Sequence, residues 1–234
     1  MTRLTRIEHA RELMDEPGQD PELLEASLDD VAAVNRWLGG TRALLRHLPA
    51  LLPPTDPATV LDVGTGSADL PRAIVRFARR KGREIHVTAT GLHPATLQVA
   101  RRRSADYPEI RVERADALRL PYPDGAFDVA LLSMTLHHLE GEDQVRALRE
   151  LHRVARRGAI VGELERSWPA WLGARILAAT IWRTNPITRH DGPLSVRRAF
   201  TPAELLDLAH EADLPNARAY RHPVFRLVLV SRHR

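Results

Sequence analysis

The chain has 234 residues, 44% of them hydrophobic and 27% charged, and it has no cysteine. That is the balance of a globular chain with a real core, in one domain or one domain with a modest cap. It excludes wholesale disorder, a collagen-like fibre, a disulfide-stapled miniprotein, a thiolate nucleophile and Cys-ligated zinc. The formal charge is +4, and Lys81 is the only lysine among 34 basic residues. The arginines are spread along the chain, and the run 101–103 reads as the solvated face of a helix. Codon bias accounts for them more simply than a nucleic-acid partner does, so no nucleic acid is expected. No eighteen-residue apolar window predicts a membrane span. The charged start of the chain has no secretory apolar segment, and a cytoplasmic location is the default expectation.

In chain order, residues 1–55 read as a helical cap. Asp20-Pro21 supplies an N-cap and a first-turn proline, and Leu24, Leu28, Val31 and Trp37 recur at helical spacing. Gly39-Gly40 ends that helix, and Pro53-Pro54 ends the next. This segment is too small to hold a core alone, so it must pack on the rest of the chain. Residues 56–234 form the main domain. Short apolar runs at 59–63, 85–90, 110–113, 127–132 and 159–161 read as strands. Helical patterns at 70–80, 94–106 and 143–155 alternate with them. Solid apolar strands in that alternation predict a parallel sheet with helices on both faces. An amphipathic helix at 168–182 and an irregular stretch at 184–199 form an insertion at about 166–200. Thr201-Pro202-Ala203-Glu204 has capping-box spacing. The end of the chain reads as an antiparallel pair, 217–222 with 225–230.

The strongest chemical signal is Val60-Leu61-Asp62-Val63-Gly64-Thr65-Gly66-Ser67-Ala68-Asp69-Leu70. An apolar strand ends near an acid, turns on glycines and enters a helix. Glycines let the backbone pass close to a ligand, and a helix N-terminus offers free N–H groups. Asp62 would repel a phosphate, but it suits an ammonium or the orientation of the loop. A tight strand–helix turn with no ligand is the plain alternative.

Here the chain resembles the class I S-adenosylmethionine-dependent methyltransferases, and further stretches carry the likeness. They are Arg114-Ala115-Asp116-Ala117-Leu118-Arg119-Leu120-Pro121-Tyr122-Pro123-Asp124-Gly125-Ala126-Phe127-Asp128-Val129, Leu136-His137-His138-Leu139, and Arg149-Glu150-Leu151-His152-Arg153-Val154-Ala155-Arg156-Arg157-Gly158. The flanks Glu12-Leu13-Met14-Asp15 and Thr188-Arg189-His190-Asp191-Gly192-Pro193-Leu194-Ser195 resemble a bacterial branch that acts on small molecules of secondary metabolism. The resemblance implies an α/β, Rossmann-like, seven-stranded, mostly parallel sheet with an antiparallel last strand and a helical N-terminal cap. It implies S-adenosyl-L-methionine as cofactor and methyl transfer to a small, aromatic or polyketide-like molecule, most simply on oxygen. Asp62, Gly64 and Gly66 would face the methionine end of the cofactor. Asp116 would accept from the adenine amine, and the Ala117 amide would bond the ring. Ser133 would stand where cofactor and acceptor meet. Asp116 as a turn acid and Ser133 as an ordinary strand-end hydroxyl remain the alternatives.

One position departs from the pattern. Where the family carries an acid that holds both ribose hydroxyls, this chain has Gly91, followed by Leu92 and His93. Losing one or two hydrogen bonds to a charged group, about 1.5–3 kcal/mol each, would weaken cofactor binding. The departure opens a second reading, in which the fold has lost or repurposed methyl transfer and serves as a pseudo-enzyme, a binding partner or another catalyst. If the acceptor is a hydroxyl, a base is required, and a neutral imidazole suits that task. His137, His138 and His190 are the candidates, and Glu163 is a candidate for the acceptor pocket. Of His137 and His138, one is expected to be packing only, and His190-Asp191 reads as a turn. No metal is expected, since no Asp, Glu or His spacing along the chain marks a ligand set. Trp168, Trp171, Trp182, Leu172 and Ile176 are candidates for the lining of a lid. A monomer or homodimer is expected.

Overall fold

The computed structural model describes residues 4–54, 57–214 and 216–233. The boundary expected at 55/56 lies outside them. Among the described residues seven strands form one sheet: β1 (Ala58–Val63), β2 (Ile85–Gly91), β3 (Ile110–Arg114), β4 (Phe127–Ser133), β5 (Ala155–Leu164), β6 (Arg218–His222) and β7 (Arg226–Arg232). Their order is β3-β2-β1-β4-β5-β7-β6. The first five are parallel, and β7 runs antiparallel between β5 and β6. This is the Rossmann-like, mostly parallel arrangement that the motifs imply.

Side chains alternate between the faces of a strand, so each apolar strand feeds two cores. Leu61 and Val63 of β1 and Ala130 and Leu132 of β4 face α5 (Glu142–Val154) and α8 (Pro202–Glu211), where they meet Leu148, Leu151 and Leu205. Val60, Val129 and Leu131 face the other way, onto Ile74 and Val75 of α3 (Asp69–Arg80) and Leu44 of α2 (Gly40–His47). Each such leucine or isoleucine contributes about 1.5–3 kcal/mol by its burial. α4 (Pro94–Arg103) lies against β3 and β2.

Local signals set most boundaries. The Asp20 carboxylate accepts from the Glu22 and Leu23 amides and starts α1 (Pro21–Trp37). Thr201 and Glu204 make the reciprocal capping box of α8. Two expectations need correction. The strand expected at 159–161 is longer, and β5 begins at Ala155, directly where the helix expected over 143–155 ends. There Gly158 has φ +151°, and a Cβ would lie 2.2 Å from the Ser231 carbonyl oxygen. Glycine thus lets β5 pair closely with β7, beside a register shift at Phe127 and Val129. The stretch expected to be irregular is helix α7 (Pro186–Arg198), capped by Asn185 and packed on α6 (Trp168–Ala179) and α1. Gly192 and Pro193 hide its pattern in the sequence. Packing explains the glycine, since a Cβ at Gly192 would lie 2.5 Å from Trp182. No helix is long and apolar enough to cross a membrane among the described residues.

Candidate active site

β1 and β4 are neighbours, but their crossovers lead opposite ways, β1 toward β2 and β4 toward β5. At such a switch point the loops part beyond the carboxyl ends of the strands and leave a crevice. A cavity of about 780 Å³ opens there, inside the range of roughly 300–1,000 Å³ for small-molecule sites. Asp62, Gly64, Gly66, Gly91, Leu92, Asp116, Ala117 and Ser133 all line it. Residues of α1, α6 and α7 form the facing wall.

In the loop after β1, Gly64 and Gly66 have φ +71° and +54°. A Cβ at Gly64 would lie 2.2 Å from Thr135 Oγ1, so no side chain fits there. Ala68, at the third glycine position, also adopts a left-handed conformation, with φ 58° and ψ 31°. That departure therefore costs conformation rather than room, about 1–2 kcal/mol. Asp62 is 1% exposed, and neither of its oxygens has a hydrogen-bond partner. Burial pushes its carboxyl up to about 7; the Thr65 hydroxyl opposes this without reaching hydrogen-bonding geometry. An unpartnered carboxylate in a cavity wall fits a ligand ammonium, so this site fits the cofactor that the resemblance implies.

The adenosine side is partly built. Asp116 Oδ1 accepts from the Leu118 amide at 2.9 Å, and the Ala115 amide bonds the Gly91 carbonyl at 3.1 Å. At Gly91 the φ lies outside the left-handed region, and a Cβ would meet only Leu97, at 3.3 Å. Nothing in the backbone requires glycine there. The exposed His93 also lines the cavity, as the N-cap of α4.

Across the cavity stands a cluster of titratable groups. His137 is 1% exposed, and its Nδ1 lies 2.6 Å from Glu163 Oε2. Glu163 also accepts from the Leu136 and His137 amides. Burial opposes its charge, but His137 prevails and holds it below the usual carboxylate range. His138 Nδ1 lies 2.5 Å from Asp15 Oδ2. Burial disfavours the imidazolium, yet Glu12, Asp15 and Glu163 outweigh it and push His138 up to about 9. Asp15 is lowered in turn: burial opposes its charge, and the bond to His138 overcomes burial. Between the two rings lies Glu12, 2% exposed, with Oε1 3.6 Å from His137 Nε2 and Oε2 3.8 Å from His138 Nε2. Ser195 Oγ donates to Glu12 Oε2 at 2.9 Å, and Oε1 has no hydrogen-bond partner. Asp191 accepts from the Leu13 and Met14 amides at 2.8 and 3.0 Å, which fixes the segment carrying Glu12 and Asp15.

Residues 60–158 match the family model described as "Methyltransferase domain". Over that stretch, 99 of the 234 residues, the chain is similar to methyltransferase domains. A demethylmenaquinone methyltransferase of Thermus thermophilus is 38% identical over 110 residues, 47% of each chain. A malonyl-[acyl-carrier protein] O-methyltransferase of Halorhodospira halophila is 37% identical over 134 residues, 57% of this chain and 42% of its own. The chain thus spans about half the length of these curated relatives. A crystal structure of a SAM-dependent methyltransferase from Aquifex aeolicus shares the fold, with a TM-score of 0.61 at 15% identity, over 92% of this chain and 98% of its own.

The matched residues contribute His137 and His138; Glu163 follows them on β5, and the rest of the cluster comes from the flanks. His137 and His138 both line the cavity, with ring centroids 4.4 Å apart, so neither is packing alone. His138 is held as a cation, which removes it as a base near neutral pH. His190 is not among the cavity-lining residues; it lies on α7 with its side chain 50% exposed, and its Nδ1 meets Asp191 Oδ1 at 2.7 Å. The pair sits in a helix, not in the expected turn. Glu163 stands behind His137 rather than in the acceptor wall, because the ring and two amides take its oxygens. Trp182 and Ile176 line the cavity, whereas Trp168, Trp171 and Leu172 do not. Sequence reasoning missed Glu12, Asp15 and Asp191 as functional groups, although the two flanks that carry them resemble one branch. Glu12, His137 and His138, distant in sequence, each bring one possible ligand atom to within 4.8 Å of the others, a grouping that no spacing along the chain displays.

Proposed function

We propose that this chain is an S-adenosylmethionine-dependent methyltransferase acting on a small, apolar, aromatic or polyketide-like acceptor, with oxygen as the methylated atom. The observation that carries this reading is Asp62, a buried carboxylate without partners, placed where the motif puts the ammonium of the methionine end. When bound, the cofactor supplies an activated methyl group on a sulfonium. Asp62 binds the ammonium, and the backbone at Gly64 and Gly66 meets the methionine carboxylate side. Asp116, through the oxygen not bonded to Leu118, takes the adenine amine, and the Ala117 amide takes the ring. Leu92 packs near the ribose, and Ser133 stands at the junction with the acceptor. The 1–55 segment and the 166–200 insertion form a cap and lid, whose apolar residues exclude water and favour an apolar acceptor. With no ion between them, a proton leaving the acceptor has two buried atoms to receive it, Glu12 Oε1 and His137 Nε2. The relatives named for demethylmenaquinone and for biosynthetic C-methylation make carbon the alternative atom.

Gly91 favours a second reading, a fold that binds without methylating. Titration calorimetry with S-adenosylmethionine and S-adenosylhomocysteine separates the two. One-site binding by the native chain supports the enzyme. Binding only after Gly91→Asp supports the second reading. Binding by neither overturns both.

A further inference from the structure

We propose that Glu12, His137 and His138 form a site for one divalent first-row transition-metal ion, with open positions facing the acceptor side of the cavity. All three residues line that cavity, and one ligand atom from each lies within 4.8 Å of the others. Two donors that share an ion at bond lengths near 2.1 Å stand no more than about 4.2 Å apart. The separations of 3.6 Å from Glu12 Oε1 to His137 Nε2 and 3.8 Å from Glu12 Oε2 to His138 Nε2 meet that limit for a carboxylate that offers one oxygen to each side, and a single oxygen would need a shift of about half an ångström to serve both. Glu12 Oε1 is the second observation. It belongs to a side chain 2% exposed, it has no hydrogen-bond partner, and it faces a ring nitrogen beyond hydrogen-bond distance.

The outer shell agrees. A carboxylate only accepts, so the Nδ1 atoms of His137 and His138, 2.6 and 2.5 Å from Glu163 and Asp15, are the donors. Both Nε2 atoms are thereby turned toward Glu12, and an ion bound there would displace the Nε2 proton that His138 carries in the metal-free chain. Metal-binding histidines characteristically give their second N–H to a carboxylate in this way. Two imidazoles and one carboxylate, with room on one side, suit zinc or a neighbouring transition metal better than magnesium or calcium. The ligand completing the shell would be an oxygen of the methyl acceptor, held as a phenolate or enolate. That role rests on the methyltransferase reading; occupancy by metal does not.

The test uses the full chain, stripped with chelator and dialysed against Zn²⁺ or Co²⁺, with metal counted by mass spectrometry and cobalt followed by its visible absorption. The expected result is one equivalent per chain. Glu12→Gln, His138→Asn and Asp15→Asn should each weaken binding at least tenfold. His93→Asn and His190→Asn should leave it unchanged. Melting curves of each variant exclude loss of fold, and Asp15→Asn reports on the site without cutting into the core. Absence of stoichiometric metal, or undiminished affinity in folded Asp15→Asn and His138→Asn, overturns the proposal, since a proton then serves between Glu12 and the rings. Calorimetry with S-adenosylhomocysteine is a separate readout, so failure of the metal site and failure of the cofactor site are distinguishable.

Discussion

Replacing Asp62 with asparagine should stabilise the cofactor-free chain and weaken its cofactor binding. The side chain is fully buried, has no hydrogen-bond partner, and has its carboxyl pushed from 3.8 up to about 7. Between about pH 4 and pH 7 the folded chain therefore keeps a proton that the unfolded chain has released. Stability falls as pH rises through that window, and the loss is complete above it. Roughly three pH units correspond to a cost on the order of 4 kcal/mol at pH 8.5. Asparagine has the same shape and never ionises, so Asp62→Asn avoids that cost. For a chain of this length the gain is at most about 8–16 °C in melting temperature. Below pH 4 both chains are neutral at this position, and the difference should shrink. Cofactor binding changes in the opposite sense. The ammonium pairs with the ionised carboxylate, a contribution of about 1.5–3 kcal/mol, so Asp62→Asn should bind S-adenosylhomocysteine at least tenfold more weakly at pH 8. Native affinity should climb between pH 5.5 and 7. The measurements are thermal melts from pH 4 to 8.5, with calorimetry at the upper end. A variant that melts lower at pH 8.5 and binds like the native chain would refute the assignment.

Gly91→Asp should tighten S-adenosylhomocysteine binding about tenfold to a hundredfold, because its carboxylate adds at least one charge-assisted bond of about 1.5–3 kcal/mol while Leu97 yields a few tenths of an ångström. The neutral Gly91→Asn should give less, and calorimetry on both checks the order. Gly158→Ala should destabilise the fold by about 3 kcal/mol, read as a lower urea midpoint, since its Cβ would meet backbone rather than a movable side chain. Asp191→Ala removes an acceptor shared by two amides and should cost about 3 kcal/mol in the same assay. It should also lower turnover by releasing the segment that carries Glu12; native turnover in a folded Asp191→Ala would contradict the positioning role. Phe200→Ala should cost about 3–5 kcal/mol, because the ring is fully buried beneath Arg6.

The parallel half of the sheet was legible because its signals are local. The apolar run 59–63, the glycine turn and the caps at Asp20 and Thr201 each act within a few residues. The residues expected at the cofactor site come together at one cavity for the same reason, since each ends a strand whose order follows from the strand–helix alternation. What escaped was set by contacts distant in sequence. Nothing local explains Gly158 until Ser231 lies against it. α7 carries Gly192 and Pro193 in its interior, and only packing against Trp182 and α1 shows why it is still a helix. Glu12 gives no sign of chemistry by itself, because its partners lie more than a hundred residues away. The two flanking motifs were visible, but their meeting through Asp191 was not.

That meeting bears on how the site is assembled. The cluster across the cavity from Asp62 comes from three places: Glu12 and Asp15 from the N-terminal segment, His137 and His138 from the loop after β4, and Asp191 and Ser195 from α7. α7 is in turn fixed to α1, since Asn185 Nδ2 donates to the Leu23 carbonyl and Thr188 Oγ1 to Asp30. The elements that cover the cavity therefore supply Glu12, Asp15 and Asp191, the acidic half of the cluster other than Glu163. Opening the cap would separate Glu12 from both rings and expose Glu163 and His137 to water, where their attraction is much weaker. The acceptor-side electrostatics and the exclusion of solvent are thus one structural event, and a substitution on α7 can alter chemistry at His137 without touching the cofactor half of the cavity.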